Sequence, residues 1–116
     1  MKAADAPLFL AGIRRLVGIL AQRDAAALDQ SGFPGADTAQ AYLTALDAYL
    51  CGRSLTPIPD TVLDNVALYR TGQEERCRAD VDLWVDGARS DLTAVVYFDD
   101  NPAARHPVQL HDLRVL

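Results

Sequence analysis

Residues 76–85, RCRADVDLWV, alternate polar and apolar side chains without a break. A period of two puts Cys77, Ala79, Val81, Leu83 and Val85 on one side of an extended chain and Arg76, Arg78, Asp80, Asp82 and Trp84 on the other. A helix would scatter these two sets around its axis, so the segment must be a strand with one buried face. Residues 90–99 repeat the pattern, with Leu92, Ala94, Val96 and Phe98 sharing a face, and Asp86-Gly87 between the two runs predicts a hairpin.

The charges select among the registers of that hairpin. A two-residue Asp86-Gly87 turn would set Asp82 opposite Asp91, a like-charge pair that costs energy. A four-residue loop, residues 86–89, instead sets Leu83 opposite Leu92, Trp84 opposite Asp91 and Asp82 opposite Thr93, and is the expected arrangement. Arg89 then sits at the loop tip within reach of Asp86 or Asp91.

A shorter strand over residues 66–71, turned back by Gly72-Gln73-Glu74, precedes the hairpin. A fourth, residues 107–116, changes phase midway. Val108 and Leu110 have one parity and Leu113 and Val115 the other, which predicts a β-bulge at His111-Asp112. Asn101-Pro102 separates the last two strands.

The first half of the chain has a helical period. Over residues 8–22 the apolar positions Leu8, Phe9, Ile13, Leu16, Val17, Ile19 and Leu20 form one stripe behind Pro7, which suits a first turn. Asp24 caps a short second helix, residues 25–30, and Phe33-Pro34-Gly35 is a loop. Asp37 is the expected N-cap of a third helix carrying Ala39, Tyr42, Leu43, Leu46, Tyr49 and Leu50, with Gly52 at its end. Thr56-Pro57-Ile58-Pro59-Asp60 reads as a rigid connector into the sheet. The expectation is a single α+β domain over residues 1–116. Its helical half, residues 1–55, packs on a curved four-stranded antiparallel sheet, residues 62–116.

Half of the 116 residues are hydrophobic and 23% are charged, the usual globular mixture, and the length suffices for one core. The net charge of −5, with ten scattered arginines and Lys2, disfavours nucleic acid or an anionic membrane as the main partner. No apolar run reaches a membrane span. Arg14 and Arg15 interrupt the only stretch similar to a signal peptide, and no small-residue cleavage site follows it. Cys51 and Cys77 lack metal-ligand or framework spacing and read as buried free thiols, which fits a cytoplasmic protein.

The outer face of the hairpin is where function is expected. It carries Asp80, Asp82, Trp84, Asp91, Thr93, Val95 and Tyr97, with Arg89 nearby. Such a face can simply be solvated. Its functional reading is an aromatic anchor, Trp84, Val95 and Tyr97, rimmed by carboxylates on which a second subunit or a basic protein docks. A metal site from Asp80, Asp82 and Asp91 is not expected, because a period of two aligns carboxylates without converging them.

Asp82-Leu83-Trp84, the run GARSDLT over residues 87–93 and the terminal DLRVL resemble the recurring signature of a family of short, uncharacterised bacterial proteins, of the form DLW, GRSDLT, IDDLHVL. Ala88 splits the middle string, and Arg114 stands where that signature has histidine. The order of elements, with QRDAAAL over residues 22–28 after the first helix, is similar to the cone-shaped proteins of the nuclear transport factor 2-like superfamily. That resemblance implies a pocket between helices and sheet, to which Tyr42, Tyr49, His111 and Asp112 would contribute.

No nucleophile elbow, P-loop, dinucleotide fingerprint or paired metal-binding histidines is present, so no catalytic residue and no cofactor is assigned. The sequence therefore reads as a non-catalytic interaction module that uses the acidic, aromatic sheet face, as a homodimer or against a basic protein such as a toxin. The alternative is a small-molecule binder, or an isomerase or dehydratase, with its pocket between helices and sheet.

Overall fold

Pro7 opens helix α1 (Pro7–Gln22), and Phe9, Ile13, Leu16, Val17 and Leu20 are its buried stripe. The structure, a computed structural model, describes residues 1–72, 76–101 and 103–115. Gln73 and Glu74 of the expected turn, and Pro102 and Leu116, therefore lie outside the described residues. Helix α2 (Ala25–Ser31) is capped by Asp24, whose Oδ1 accepts from the N–H groups of Ala26 and Ala27 at 3.0 and 3.2 Å.

Helix α3 (Ala39–Leu50) is capped by Thr38 rather than Asp37. Thr38 Oγ1 accepts from Ala41 N at 3.1 Å, while Asp37 Oδ1 accepts from Thr38 N one residue earlier. Thr38 takes this role because it is the last residue with extended geometry before the helix. At the other end Cys51 adopts the left-handed conformation that Gly52 was expected to supply, and Gly52 follows it with positive φ. Cys51 is exposed, so only Cys77 of the two thiols is buried.

The connector after α3 holds more structure than its prolines suggest. Strand β1 (Leu55–Thr56) is followed by helix α4 (Asp60–Asp64), for which Pro59 is the N-cap residue and Asp60 puts a negative charge in the first turn. Strand β2 (Tyr69–Arg70) is all that forms of the expected strand over residues 66–71. Val66 and Leu68 instead pair their backbones with the N-terminal residues Ala3 and Met1.

Three long strands, β3 (Arg76–Val85), β4 (Ala88–Asp99) and β5 (Val108–Val115), make an open antiparallel sheet in the order β1-β3-β4-β5, with β2 also on β3. β1 and β2 share one edge of β3, pairing with its end and its beginning. On the opposite edge of the sheet, Phe33 and Gly35 exchange backbone hydrogen bonds with Leu110. Both outer strands are thus partly covered, which limits unpaired edge.

The β3–β4 hairpin combines features of both candidate registers. Asp86 and Gly87 have φ of 51° and 77°, the paired positive values of a type I′ turn, so the loop has two residues rather than four. Trp84 consequently lies opposite Arg89, not Asp91, and Leu83 is not paired with Leu92. Yet Asp82 still faces Thr93, because β4 bulges between them. Ser90 fills the bulge, its Oγ donating to Leu83 O at 2.7 Å and accepting from Leu92 N at 3.2 Å. Preferred turn chemistry sets the tip, and the bulge removes the Asp82–Asp91 clash.

The helices pack on the inner face of this sheet. Phe9 meets Phe98 edge to face at 5.6 Å, and the inward residues of all three long strands join α1 and α3 in one core. The expected bulge in β5 is present: Val95 pairs with Asp112 and Val96 with Leu110, leaving His111 between them.

Candidate functional site

The register of β3, β4 and β5 lays out the outer face in rows: Arg78, Tyr97 and Gln109; then Asp80, Val95 and Asp112; then Asp82, Thr93 and Arg114. Arg76 and Asp99 extend it at one end, Trp84 and Arg89 at the other. Of the residues expected on this face, Asp80, Asp82, Trp84, Val95 and Tyr97 are brought together across it. Asp91 is displaced into the bulge, where it is exposed.

The aspartates are not an uncompensated acidic rim. Asp80 pairs with Arg78 at 3.1 Å, Asp112 with Arg114 at 2.8 Å and Asp82 with Arg89 at 3.7 Å. Asp82 also accepts from the Thr93 hydroxyl at 3.0 Å. Hydrogen bonding to Asp112 raises the Arg114 guanidinium above its ordinary value. Exposed pairs of this kind contribute little stability, so the charges remain available to exchange partners.

Under these charges lies a small second layer. Val95 and Thr93 are only 1% and 3% exposed, although Val95 stands outside the main core. Long flanking side chains on an open sheet can cover such positions with their aliphatic stems. Tyr97 is half-buried beside them. The Arg76 guanidinium lies 4.1 Å from its ring centroid, and His111 meets it edge to face at 5.1 Å. Trp84 is also half-buried and leans on the core, and its Nε1 is buried without an acceptor among the described residues. Tyr97 thus stands between Arg76 and His111 on the face, and Trp84 at its far end, partly packed against the core.

Arg76, Arg78, Arg114 and Gln109 were not singled out from the sequence as site residues. Arg76 and Arg78 share the parity of Asp80, which is the signal that reveals them. The β5 residues depend on the bulge, since only its phase shift carries Asp112 and Arg114 outward.

The residues expected to line a pocket between α3 and the sheet have other positions. Tyr42 is 4% exposed, and its hydroxyl is engaged with the carbonyl oxygens of Leu110 and His111 and the N–H groups of Ala36 and Asp37. Tyr49 lies beneath the Arg53 guanidinium at 5.1 Å, His111 is on the outer face against Tyr97, and Asp112 is paired with Arg114. Every inward residue of β3 from Cys77 to Val85 is apolar and buried. A hollow of ≈ 280 Å³ does exist elsewhere, between α1 and residues 55–63, lined by Ile13, Val17, Gly18, Leu55, Ile58 and Leu63 beside the Arg14–Asp60 ion pair.

Among the described residues no group of three or more His, Cys, Asp or Glu is gathered as a metal site, and no helix is long and apolar enough to cross a membrane. Comparison with curated proteins and with solved structures finds no match. One family profile does match, over residues 17–116, which takes in α1 from its middle turn and the whole sheet. The chain belongs to that family, a domain of unknown function (DUF7668).

Proposed function

We propose that this domain is a non-catalytic interaction module that binds another protein through the outer face of β3, β4 and β5. The observation that carries this reading is the asymmetry of the sheet. Its inner face is consumed by the core, whereas its outer face presents a held aromatic, Tyr97, within alternating charges. Aromatic and arginine side chains that are already positioned lose little freedom on binding and tend to carry interface energy. The four arginines among the aspartates suit a partner of mixed charge better than a purely basic one. A cone-shaped, pocket-bearing relative of the nuclear transport factor 2-like type would need polar groups facing an internal cavity, and the apolar packing between α3 and the sheet supports the interaction reading instead.

The test is photo-cross-linking in the source cells, with a photoreactive residue at Gln109 on the outer face and, as control, at Gln40 on α3. Adducts specific to position 109, and reduced by Tyr97→Ala, support the proposal. Equal adducts from both positions, or none from position 109, would overturn it.

A further inference from the structure

We infer that the partner on this face is a second copy of the chain, docked outer face to outer face about a two-fold axis that crosses β3 between Arg78 and Asp80. This rests on the interaction reading of the same face and adds the partner's identity. The outward row of β3 reads Arg76, Arg78, Asp80, Asp82, two positive charges followed by two negative ones at the strand's period of two. Such a row is complementary to itself when reversed. A two-fold axis at its centre places Arg78 against the partner's Asp80 and Arg76 against the partner's Asp82, and the same contacts recur by symmetry, as an isologous interface requires.

The neighbouring strands agree with that axis. Because Arg78 pairs with Tyr97 and Asp80 with Val95, the operation that exchanges the two β3 rows lays Tyr97 over the place where the partner's Val95 is buried. On β5 it sets Gln109 over the partner's Asp112. Tyr97 thus faces the partner near the centre, above the buried Val95 and the side-chain stems that cover it, with charge pairs along one flank and a hydrogen-bonding pair along the other. Other alignments do worse: an axis parallel to the strands brings Asp80 against the partner's Asp112. Facing sheets pack about 10 Å apart and cross at about 30°, so the pairs nearest the axis make the closest contacts. The present Arg78–Asp80 pair within one strand is exposed and is readily exchanged for a pair between strands.

The decisive experiment is charge-swap complementation, followed by sedimentation equilibrium. Wild type should be dimeric, and added salt should weaken the dimer. Arg78→Asp and Asp80→Arg should each raise the dissociation constant at least about ten-fold, because each sets like charges across the axis. An equimolar mixture of the two variants should regain the dimer, since every cross-axis pair is then opposite in sign. That recovery also shows that both variants fold. If a reversal unfolds the chain, the neutral Arg78→Gln and Asp80→Asn variants replace it, and each should weaken the dimer. A wild type that stays monomeric at millimolar concentration, dimers indifferent to both reversals, or a mixture that remains monomeric would each overturn the inference. Cross-links from position 109 to a different protein alone would do so too while leaving the interaction module standing. No specific cross-link from that position would remove both.

Discussion

The Tyr42 hydroxyl lies 2.9 Å from the carbonyl oxygen of His111, so α3 is tied directly to the bulge of β5. A bulge leaves a backbone group without its ladder partner, and here a side chain from the opposite layer supplies one. The Tyr42 hydroxyl oxygen also accepts from Ala36 N and Asp37 N at 3.2 and 3.1 Å, which fixes the loop before α3. One hydroxyl thereby joins a loop, a helix and a strand irregularity.

Tyr42→Phe keeps the ring and removes only that oxygen. Two N–H groups and two carbonyls then lose a partner in a largely buried place, and the expected loss is about 1–3 kcal/mol. Urea denaturation measures it. A loss close to zero would mean that the hydroxyl is not needed to hold the bulge.

The two glycines of α1 should respond oppositely to alanine. A Cβ at Gly12 would come 2.4 Å from Cγ2 of Val108, so α1 touches β5 there through its backbone. Gly12→Ala should cost about 1–3 kcal/mol through overpacking, and Val108→Ala in the same chain should recover part of it. At Gly18 nothing lies within 4 Å of the added atom. Gly18→Ala should therefore raise stability by about 0.5–1 kcal/mol, through reduced backbone entropy of the unfolded chain and better helix propensity. Thermal melts of the two variants moving in the same direction would contradict this account of α1.

Much of this architecture was legible because its signals are local. The stripe of α1, the alternation of β3 and the parity change at His111 each lie within one segment, and each corresponds to an observed element. The misses share a different cause. β1 and β2 are two residues each and exist only because β3 offers them an edge, which no window of sequence contains. α4 carried a readable start in Pro59-Asp60, but its five residues fall below the length at which a period shows. The outer face was half legible: strand parity placed Asp80, Asp82 and Tyr97 and, on the same row of β3, Arg76 and Arg78, whereas the Arg89–Asp82 pair and the burial of Val95 arise only from the register between strands.

Ser90 offers a test of the hairpin bulge. Ser90→Ala removes both the donor to Leu83 O and the acceptor for Leu92 N, at a half-buried site, and should cost about 1 kcal/mol. Hydrogen exchange should speed up at Leu92 first, because that amide loses its named acceptor. Unchanged exchange there would show that the bulge is held by the turn alone.

The thiols give a final check on the layering. Cys51 is exposed at the end of α3, while Cys77 is 1% exposed on the inner face of β3. A thiol reagent attacks the thiolate and must reach it, so burial rather than intrinsic reactivity should separate the two sites. In native protein a disulfide reagent such as dithionitrobenzoate should label Cys51 within minutes and leave Cys77 unmodified. Cys77 should become reactive only in step with global unfolding, since β3 lies between β4 and the covered edge and has no local route to opening. Labelling of Cys77 in dilute denaturant, well before the main transition, would instead place β3 in a separately opening unit.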